Sequence, residues 1–136
     1  MRSRFCSSGI SLALVGIFLA AAAAAAPISP SASRAEIRRW FAAANVDAAA
    51  AQRWAYSFGA ADGRALEALS VALVRDGYEI VTLAGGAAPT LLMAKAELHS
   101  PATLAERSQS LRRMASRYGA RYDGCEVLRT GVHSAR

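Results

Sequence analysis

Short runs in which apolar and polar residues alternate follow one another after residue 50. In RWAYSFGA, Trp54, Tyr56 and Phe58 alternate with small side chains, and a period of two with aromatic residues indicates a β-strand. YEIVTLAGG and TLLMAKAELHS predict a second and a third strand, and RYDGCEVL predicts the last. In the third strand Lys95 and Glu97 lie on one face, and the other face is apolar: Leu92, Ala94, Ala96 and Leu98.

Two segments between these strands carry apolar residues at helical spacing instead. ADGRALEALSVALVRDG begins at the N-cap residue Asp62 and ends at Gly77, and SPATLAERSQSLRRMASRYG begins at Ser100 and ends at Gly119. The apolar stripes are Leu66, Leu69 and Leu73 in the first segment, and Leu104, Leu111, Met114, Ala115 and Tyr118 in the second. Both segments therefore predict amphipathic helices.

The order β-α-β-β-α-β over residues 52–129 predicts an α+β fold, the ferredoxin-like sandwich with two helices on a four-stranded antiparallel sheet. Upstream, alanine-rich sequence predicts an extra N-terminal helix over residues 34–51. Its Trp40 and Phe41 are suited to covering the second face of the sheet, which otherwise stays partly open. Residues 130–136 form a tail.

The N-terminus has the pattern of a secretory signal. Arg2 and Arg4 precede GISLALVGIFLAAAAAAA, an uncharged run of about 18 residues. We expect residues 1–26 to be a signal peptide, cut one or two alanines before Pro27 or within SPSAS, or else an uncleaved membrane anchor. Residues 27–33, PISPSAS, predict a linker. The expected location is the periplasm or outside the cell, or the inner membrane if the segment is an anchor, and this segment is the only membrane contact expected.

Charge narrows the set of partners. The chain has 16 basic and 10 acidic residues, a net charge of +6, without a dense basic stripe. The third strand also lacks the aromatic residues with which such sheets stack RNA bases, so we expect no nucleic-acid binding. Four arginines are expected on the outer face of the second main helix, as a solvated face or as a docking surface for an acidic protein: Arg107, Arg112, Arg113 and Arg117.

Catalytic patterns are missing from the sequence. His99 and His133 have no second ligand at metal-binding spacing. Gly85 and Gly86 precede a strand rather than the helix that a phosphate loop requires, so they indicate a hairpin. Cys125 has no histidine near it in sequence to activate a thiolate, and after signal removal it has no cysteine to pair with in its own chain. We expect a non-enzyme without metal or cofactor, and a buried Cys125 or one that pairs with another chain.

Three features together resemble the family of the regulator of ribonuclease E activity B. The first helix ends in Gly77 and Tyr78, followed by an acidic and an aliphatic residue. The second helix carries the spacing of Leu111, Met114, Ala115 and Tyr118, and a signature Tyr-Asp-Gly-Trp follows as Tyr122, Asp123, Gly124 and Cys125. The similarity covers residues 52–129. We interpret the signature residues as structural, with Asp123 and Gly124 in a bulge or turn.

The resemblance implies a ferredoxin-like fold and a non-catalytic domain that binds and inhibits ribonuclease E. Cys125 stands where the family has Trp, and the export signal conflicts with a cytoplasmic target. The sequence therefore suggests an exported or membrane-anchored member with a different, unknown protein partner, and ribonuclease E as partner only if the chain stays in the cytoplasm. The alternative is a peptidoglycan-binding module of the sporulation-related repeat type, which shares the order of elements.

Overall fold

The computed structural model describes residues 26–129, in which three helices pack on one side of a four-stranded sheet. The elements are α1 (Arg34–Ala43), β1 (Gln52–Gly59), α2 (Gly63–Arg75), β2 (Glu79–Ala84), β3 (Thr90–Glu97), α3 (Pro101–Arg117) and β4 (Arg121–Val127). The strand order is β2-β3-β1-β4, and every neighbouring pair is antiparallel. The predicted ferredoxin-like α+β fold is confirmed.

The core forms between the sheet and the helices. β1 is a central strand, and its Trp54, Tyr56 and Phe58 are at most 1% exposed, as their alternation predicts. The helices cover them with their apolar stripes: Leu66, Leu69 and Leu73 from α2, and Leu104, Leu111 and Ala115 from α3. Tyr118, predicted in the second stripe, is the C-cap of α3 and is 38% exposed, because the helix ends one residue earlier.

The N-terminal helix is shorter than predicted. It also packs on the same face of the sheet as the other two helices, whereas the sequence suggested that it covers the opposite face. α1 ends at Ala43 instead of residue 51, because Asn45 takes a left-handed φ of 54° that an α-helix cannot continue through. The rings of Trp40 and Phe41 lie 5.9 and 5.7 Å from the ring of Trp54. Because Trp54 points toward the helices, α1 packs beside α3, and no helix of residues 26–129 covers the second face of the sheet.

The predicted linker is part of the folded domain. Ile28 is only 4% exposed and forms an antiparallel bridge with Cys125 on the outer edge of β4, with N···O distances of 2.7 and 3.1 Å. The indole nitrogen of Trp40 donates a hydrogen bond to the carbonyl of Ala26 at 2.6 Å. The segment predicted as a linker over 27–33 thus contacts the domain at Ile28, because β4 offers it an unpaired edge and Trp40 holds Ala26 just before it.

Charged side chains cross the helix-free face over small residues. The guanidinium of Arg53 on β1 lies 3.1 Å from the carboxylate of Glu79 on β2. Between them lies β3, whose Ala94 and Ala96 pair with Glu79 and Arg53 respectively. Alanines let the two long side chains meet above the strand. Since both charges are largely exposed, we expect this ion pair to contribute little to stability.

Part of the sequence interpretation falls outside the described residues. All of the predicted signal peptide or anchor over residues 1–26 except Ala26 lies outside them, as do Cys6 and the tail over 130–136. Within residues 26–129, no helix has the length and apolar composition needed to span a bilayer.

Candidate protein-interaction surface and signature residues

The outer face of α3 carries a cluster of exposed arginines. Ser100 caps the helix in a capping box with Thr103, and the helix then runs to Arg117. Its buried stripe faces the sheet, so Arg112, Arg113 and Arg117 lie on the solvent side around a shallow depression that also includes Gln109 and Ser116. We call these three residues the arginine face. Among residues 26–129 none of the three forms an ion pair, although Arg112 donates to the carbonyl of Pro30 at 3.3 Å.

Arg107 does not belong to this face, and the prediction that placed it there is wrong. Its guanidinium turns back toward the sheet and donates to a carboxylate oxygen of Glu97 at the end of β3. Only 9% of the Glu97 side chain is exposed, so a charge there requires a partner. Arg107 is the nearest cation on the covering helix, and it is pulled inward for that reason.

Glu97 is the centre of a buried polar cluster that the sequence did not predict. The hydroxyl of Tyr56 donates to Glu97 at 3.0 Å and lies 3.1 Å from Nε2 of His99. Nδ1 of His99 lies 3.1 Å from the hydroxyl of Thr103 in the first turn of α3. Burial alone would raise the pKa of Glu97, but the hydrogen bond to His99 and the charge of Arg107 lower it to about 2.

This cluster ties the end of β3 to β1 and to the start of α3. Glu97, Tyr56, His99 and Thr103 each meet another polar group, the usual condition for burying such side chains, and Nε of Arg107 is the one buried atom here without a partner among residues 26–129. The only sequence signal was the unusual placement of Lys95 and Glu97 on one face of an apolar strand. His99 is 5% exposed, and its contacts in this cluster are structural. Among residues 26–129, Glu97 and His99 are not joined by a third side chain that could complete a metal site.

The Gly77–Tyr78 signature turns the chain from α2 into β2. Gly77 has a φ of 90°, which glycine adopts easily, and it lets the chain reverse after the helix. The Tyr78 ring is then directed into the core, 5.8 Å from the ring of Tyr56. Nζ of Lys95 lies 4.8 Å above the Tyr78 ring and donates to the carbonyl of Asp76 at 2.9 Å. Burial is the main reason that the pKa of Tyr78 rises to about 12.

The Tyr122–Cys125 signature builds the contact between β4 and the N-terminal segment. Tyr122 is buried with its hydroxyl 3.3 Å from that of Ser108 on α3. The β1–β4 register shifts beside it, and Gly124 takes a φ of 121°. A Cβ at Gly124 would lie 2.2 Å from the carbonyl oxygen of Ile28. Only glycine therefore allows the N-terminal segment to approach this closely.

Cys125 is enclosed at the same place. Its side chain is 1% exposed and unpaired, and its backbone forms the bridge to Ile28. Burial raises the pKa of the thiol to about 11. A neutral, enclosed thiol is unsuited to act as a nucleophile or to join a second chain. Asp123 points away from the core and accepts from Arg121 at 2.9 Å.

The structure gives the remaining candidate residues no role in a catalytic, phosphate or metal site among residues 26–129. Gly85 and Gly86 lie in the connection between β2 and β3, as the hairpin interpretation requires. Within residues 26–129 no group of three or more His, Cys, Asp or Glu side chains is arranged to hold a metal ion. His133 lies outside the described residues.

Comparison with protein families matches this chain to one family model, described as regulator of ribonuclease activity B, over residues 32–127. The match includes α1 and all four strands, so it extends further toward the N-terminus than the resemblance over residues 52–129. A search of curated proteins finds no match. The peptidoglycan-binding alternative receives no support from these comparisons.

Proposed function

Because the chain belongs to the family of the regulator of ribonuclease activity B, we propose that it acts as a non-catalytic domain that regulates a protein partner by binding it. The match spans the whole helix-and-sheet unit, and the family is one of regulators. The buried polar groups of the domain serve packing: the Glu97 cluster joins β3 to α3, and the Tyr122–Cys125 signature joins β4 to the N-terminal segment.

We assign docking of the partner to the arginine face of α3. The observation that carries this assignment is the exposure of Arg112, Arg113 and Arg117 side by side, without an ion pair among residues 26–129. Guanidinium groups favour carboxylates in bidentate geometry, so the matching partner surface is acidic. α1 contacts α3 and adds further exposed arginines, which extend the positive surface: Arg34, Arg38 and Arg39.

The proposed site of action lies outside the cytoplasm, with a partner other than ribonuclease E. The apolar run in residues 9–26 supports this. If a peptidase removes that run, the fold favours a cut upstream of Ala26, since the Ala26 carbonyl holds Trp40 and Ile28 belongs to the core. Cleavage within SPSAS would remove both contacts. Mass spectrometry of the mature protein measures the position directly, and a mature N-terminus beyond Ile28 contradicts this part of the proposal.

A reporter fused to Arg136 that is active only outside the cytoplasm tests the compartment. We expect activity from the reporter. A stable fusion without activity would place the chain in the cytoplasm and make ribonuclease E the leading partner.

Binding is tested with the non-catalytic region of ribonuclease E as the probe for the family interaction. If the chain binds it, the double variant Arg113→Glu/Arg117→Glu is expected to weaken binding about 10–100-fold. The matched control is Arg64→Glu/Arg75→Glu on α2, which changes the net charge equally and is expected to alter binding by less than about threefold. Equal losses in both variants would show that the arginine face is not the docking surface.

A further inference from the structure

β2 is a free edge of the sheet. It hydrogen-bonds to β3 on one side, and among residues 26–129 no strand lies on its other side. All six of its residues are exposed. An unpaired strand edge offers backbone donors and acceptors to any other extended chain, and proteins usually protect such edges.

The side chains around this edge are apolar. Ile80, Val81 and Leu83 of β2 are 48%, 39% and 41% exposed, and Val71 and Val74 of α2 are 53% and 48% exposed. We call these five residues, on β2 and on the helix α2 that contacts it, the edge patch. Most of the large apolar side chains that are exposed among residues 26–129 lie in it. Such clustering marks an interaction surface more often than scattered exposure does.

Beyond Glu79 at its start, the edge lacks the protective charges that natural edges carry. Residues 80–94 contain no charged side chain, and β2 has neither lysine nor proline. Its single irregularity is a register shift against β3 between Ile80 and Thr82. The positive charge that would bind an acidic partner lies on α3, not on the edge patch. The edge patch therefore fits a partner surface that is uncharged and can form a β-strand.

We propose that the occupant is the β2 edge of a second copy of this chain, paired antiparallel about a two-fold axis at the middle of the strand. In one register Ile80 lies beside Leu83 of the second copy. Both side chains belong on the helix-covered face, since Ile80 pairs with the buried Met93 and Leu83 with the buried Leu91. Ile80 and Leu83 of both copies then form one apolar contact across the axis.

The charges of the strand are compatible with this register. The strand's only charged residue, Glu79, lies beside Ala84 of the second copy, so no carboxylate faces another. The arginine face lies on α3, and α3 lies over the opposite half of the sheet, where it contacts β4. Two chains of net charge +6 can therefore meet at β2 with their arginine clusters kept apart.

The size of the contact predicts a weak dimer. Covering the exposed halves of five aliphatic side chains removes on the order of 200–300 Å² of apolar surface per copy, against the ~800 Å² per partner of a standard interface. Backbone hydrogen bonds between the two β2 strands add to this. The dimer is therefore expected to form in a concentration-dependent way. It does not depend on the proposed regulatory function.

Thiol crosslinking of the full chain in cells tests the pairing. In a Cys6→Ser background, Thr82→Cys places a thiol next to the two-fold axis, and Ser116→Cys on the exposed side of α3 is the control. With a short bismaleimide, Thr82→Cys is expected to give at least about tenfold more dimer than the control, and the yield rises with expression level. Adding Leu83→Lys is expected to lower the yield at least about fivefold, because it places a charge in the apolar contact beside Ile80 of the second copy. Leu98→Lys, at a more exposed site beyond the end of β3, is expected to leave it unchanged.

Three outcomes would overturn the proposal. The first is a dimer yield from Thr82→Cys no higher than from Ser116→Cys. The second is a main product whose mass shows a different protein bound at β2, which would make the edge a docking strand for that protein. The third is an equal yield with Leu83→Lys and with Leu98→Lys, which would mean that the edge patch does not form the contact.

Discussion

The two edges of the sheet are treated in opposite ways. On the outer edge of β4 the N-terminal segment adds a bridge through Ile28, and the ion pair of Arg121 and Asp123 lies on the same strand. On the outer edge of β2 no such cover is present among the described residues, and the side chains are aliphatic. The difference teaches that residues 26–129 close one edge of the sheet with their own chain and leave the other edge unpaired.

The reactivity of thiols at the two edges is the largest expected difference. Cys125 at the closed edge has a pKa of about 11 against an ordinary value of 9.0, which alone means about 100-fold less thiolate at neutral pH. Burial slows its alkylation further. In a Cys6→Ser background, Thr82→Cys at the open edge is expected to react at least about 100-fold faster than Cys125, measured by maleimide labelling and mass spectrometry.

The pH dependence of maleimide labelling is the control for comparing the two thiols. Labelling of Thr82→Cys is expected to level off above about pH 9, whereas labelling of Cys125 keeps rising toward pH 11. Comparable rates for both sites at neutral pH would show that the N-terminal segment does not close the β4 edge.

Gly124→Val breaks the closed edge directly. The new side chain meets the carbonyl of Ile28 and occupies a backbone with a φ of 121°. We expect a loss of about 3–4 kcal/mol in the free energy of unfolding, from backbone strain and from displacement of the N-terminal segment. Chemical denaturation measures it. Gly63→Ala is the control, since a Cβ there meets nothing within 4 Å, and it is expected to change stability by less than about 1 kcal/mol.

The same substitution at each edge sharpens the comparison. Ile28→Ala removes a side chain that is 4% exposed, and Ile80→Ala removes one that is 48% exposed. We expect Ile28→Ala to cost about 2–3 kcal/mol and Ile80→Ala less than about 1 kcal/mol in unfolding by denaturant. Equal losses would mean that the β2 edge is already covered in solution, and repeating the Ile80→Ala measurement at several protein concentrations would show whether a second copy covers it.

Glu97→Gln tests whether the buried carboxylate of Glu97, in the core between the two edges, stabilises the fold. The pKa of Glu97 lies below that of a free carboxylate, so its ionisation stabilises the fold above about pH 4.5, and this contribution is lost as the pH falls toward 2. We expect Glu97→Gln to cost about 1–2 kcal/mol at pH 7, since Arg107 loses its charged partner.

The same variant should flatten the decline in stability between pH 4.5 and 2, measured by thermal unfolding along a pH series. The matched control is Glu79→Gln at the exposed ion pair with Arg53, for which we expect less than about 0.5 kcal/mol. An unchanged acid transition in Glu97→Gln would remove the cluster as a determinant of acid stability.

The sequence predicted the elements well where the signal is local. Trp54, Tyr56 and Phe58 show their buried face by alternation, and Gly77 and Gly119 mark helix ends through backbone angles that glycine accepts. It failed where a side chain responds to a distant group. Arg107 was placed on the outer face of α3 by helical spacing, but the buried Glu97 on another element draws it inward.

Of the two candidate surfaces, the sequence predicted the one that depends on local spacing and missed the one that depends on strand order. The arginine face follows from spacing along one helix, so three of its four predicted members are in place. The edge patch could not be predicted, because strand order decides that β2 is an edge and β1 is not. The bridge from Ile28, in the predicted linker over 27–33, could not be predicted either, since proline and serine content says nothing about an unpaired strand that the segment meets in the fold.

By itself the sequence determined the order of helices and strands, their buried stripes and the family signature, because all of these depend on neighbours along the chain. Only the tertiary structure decided that Ile28 closes one edge, that β2 is the unpaired edge within residues 26–129, that α1 packs beside α3 and that Glu97 holds Arg107. These contacts join residues far apart in sequence, and the free energy that selects them comes from burying apolar area and pairing polar groups once the sheet has formed.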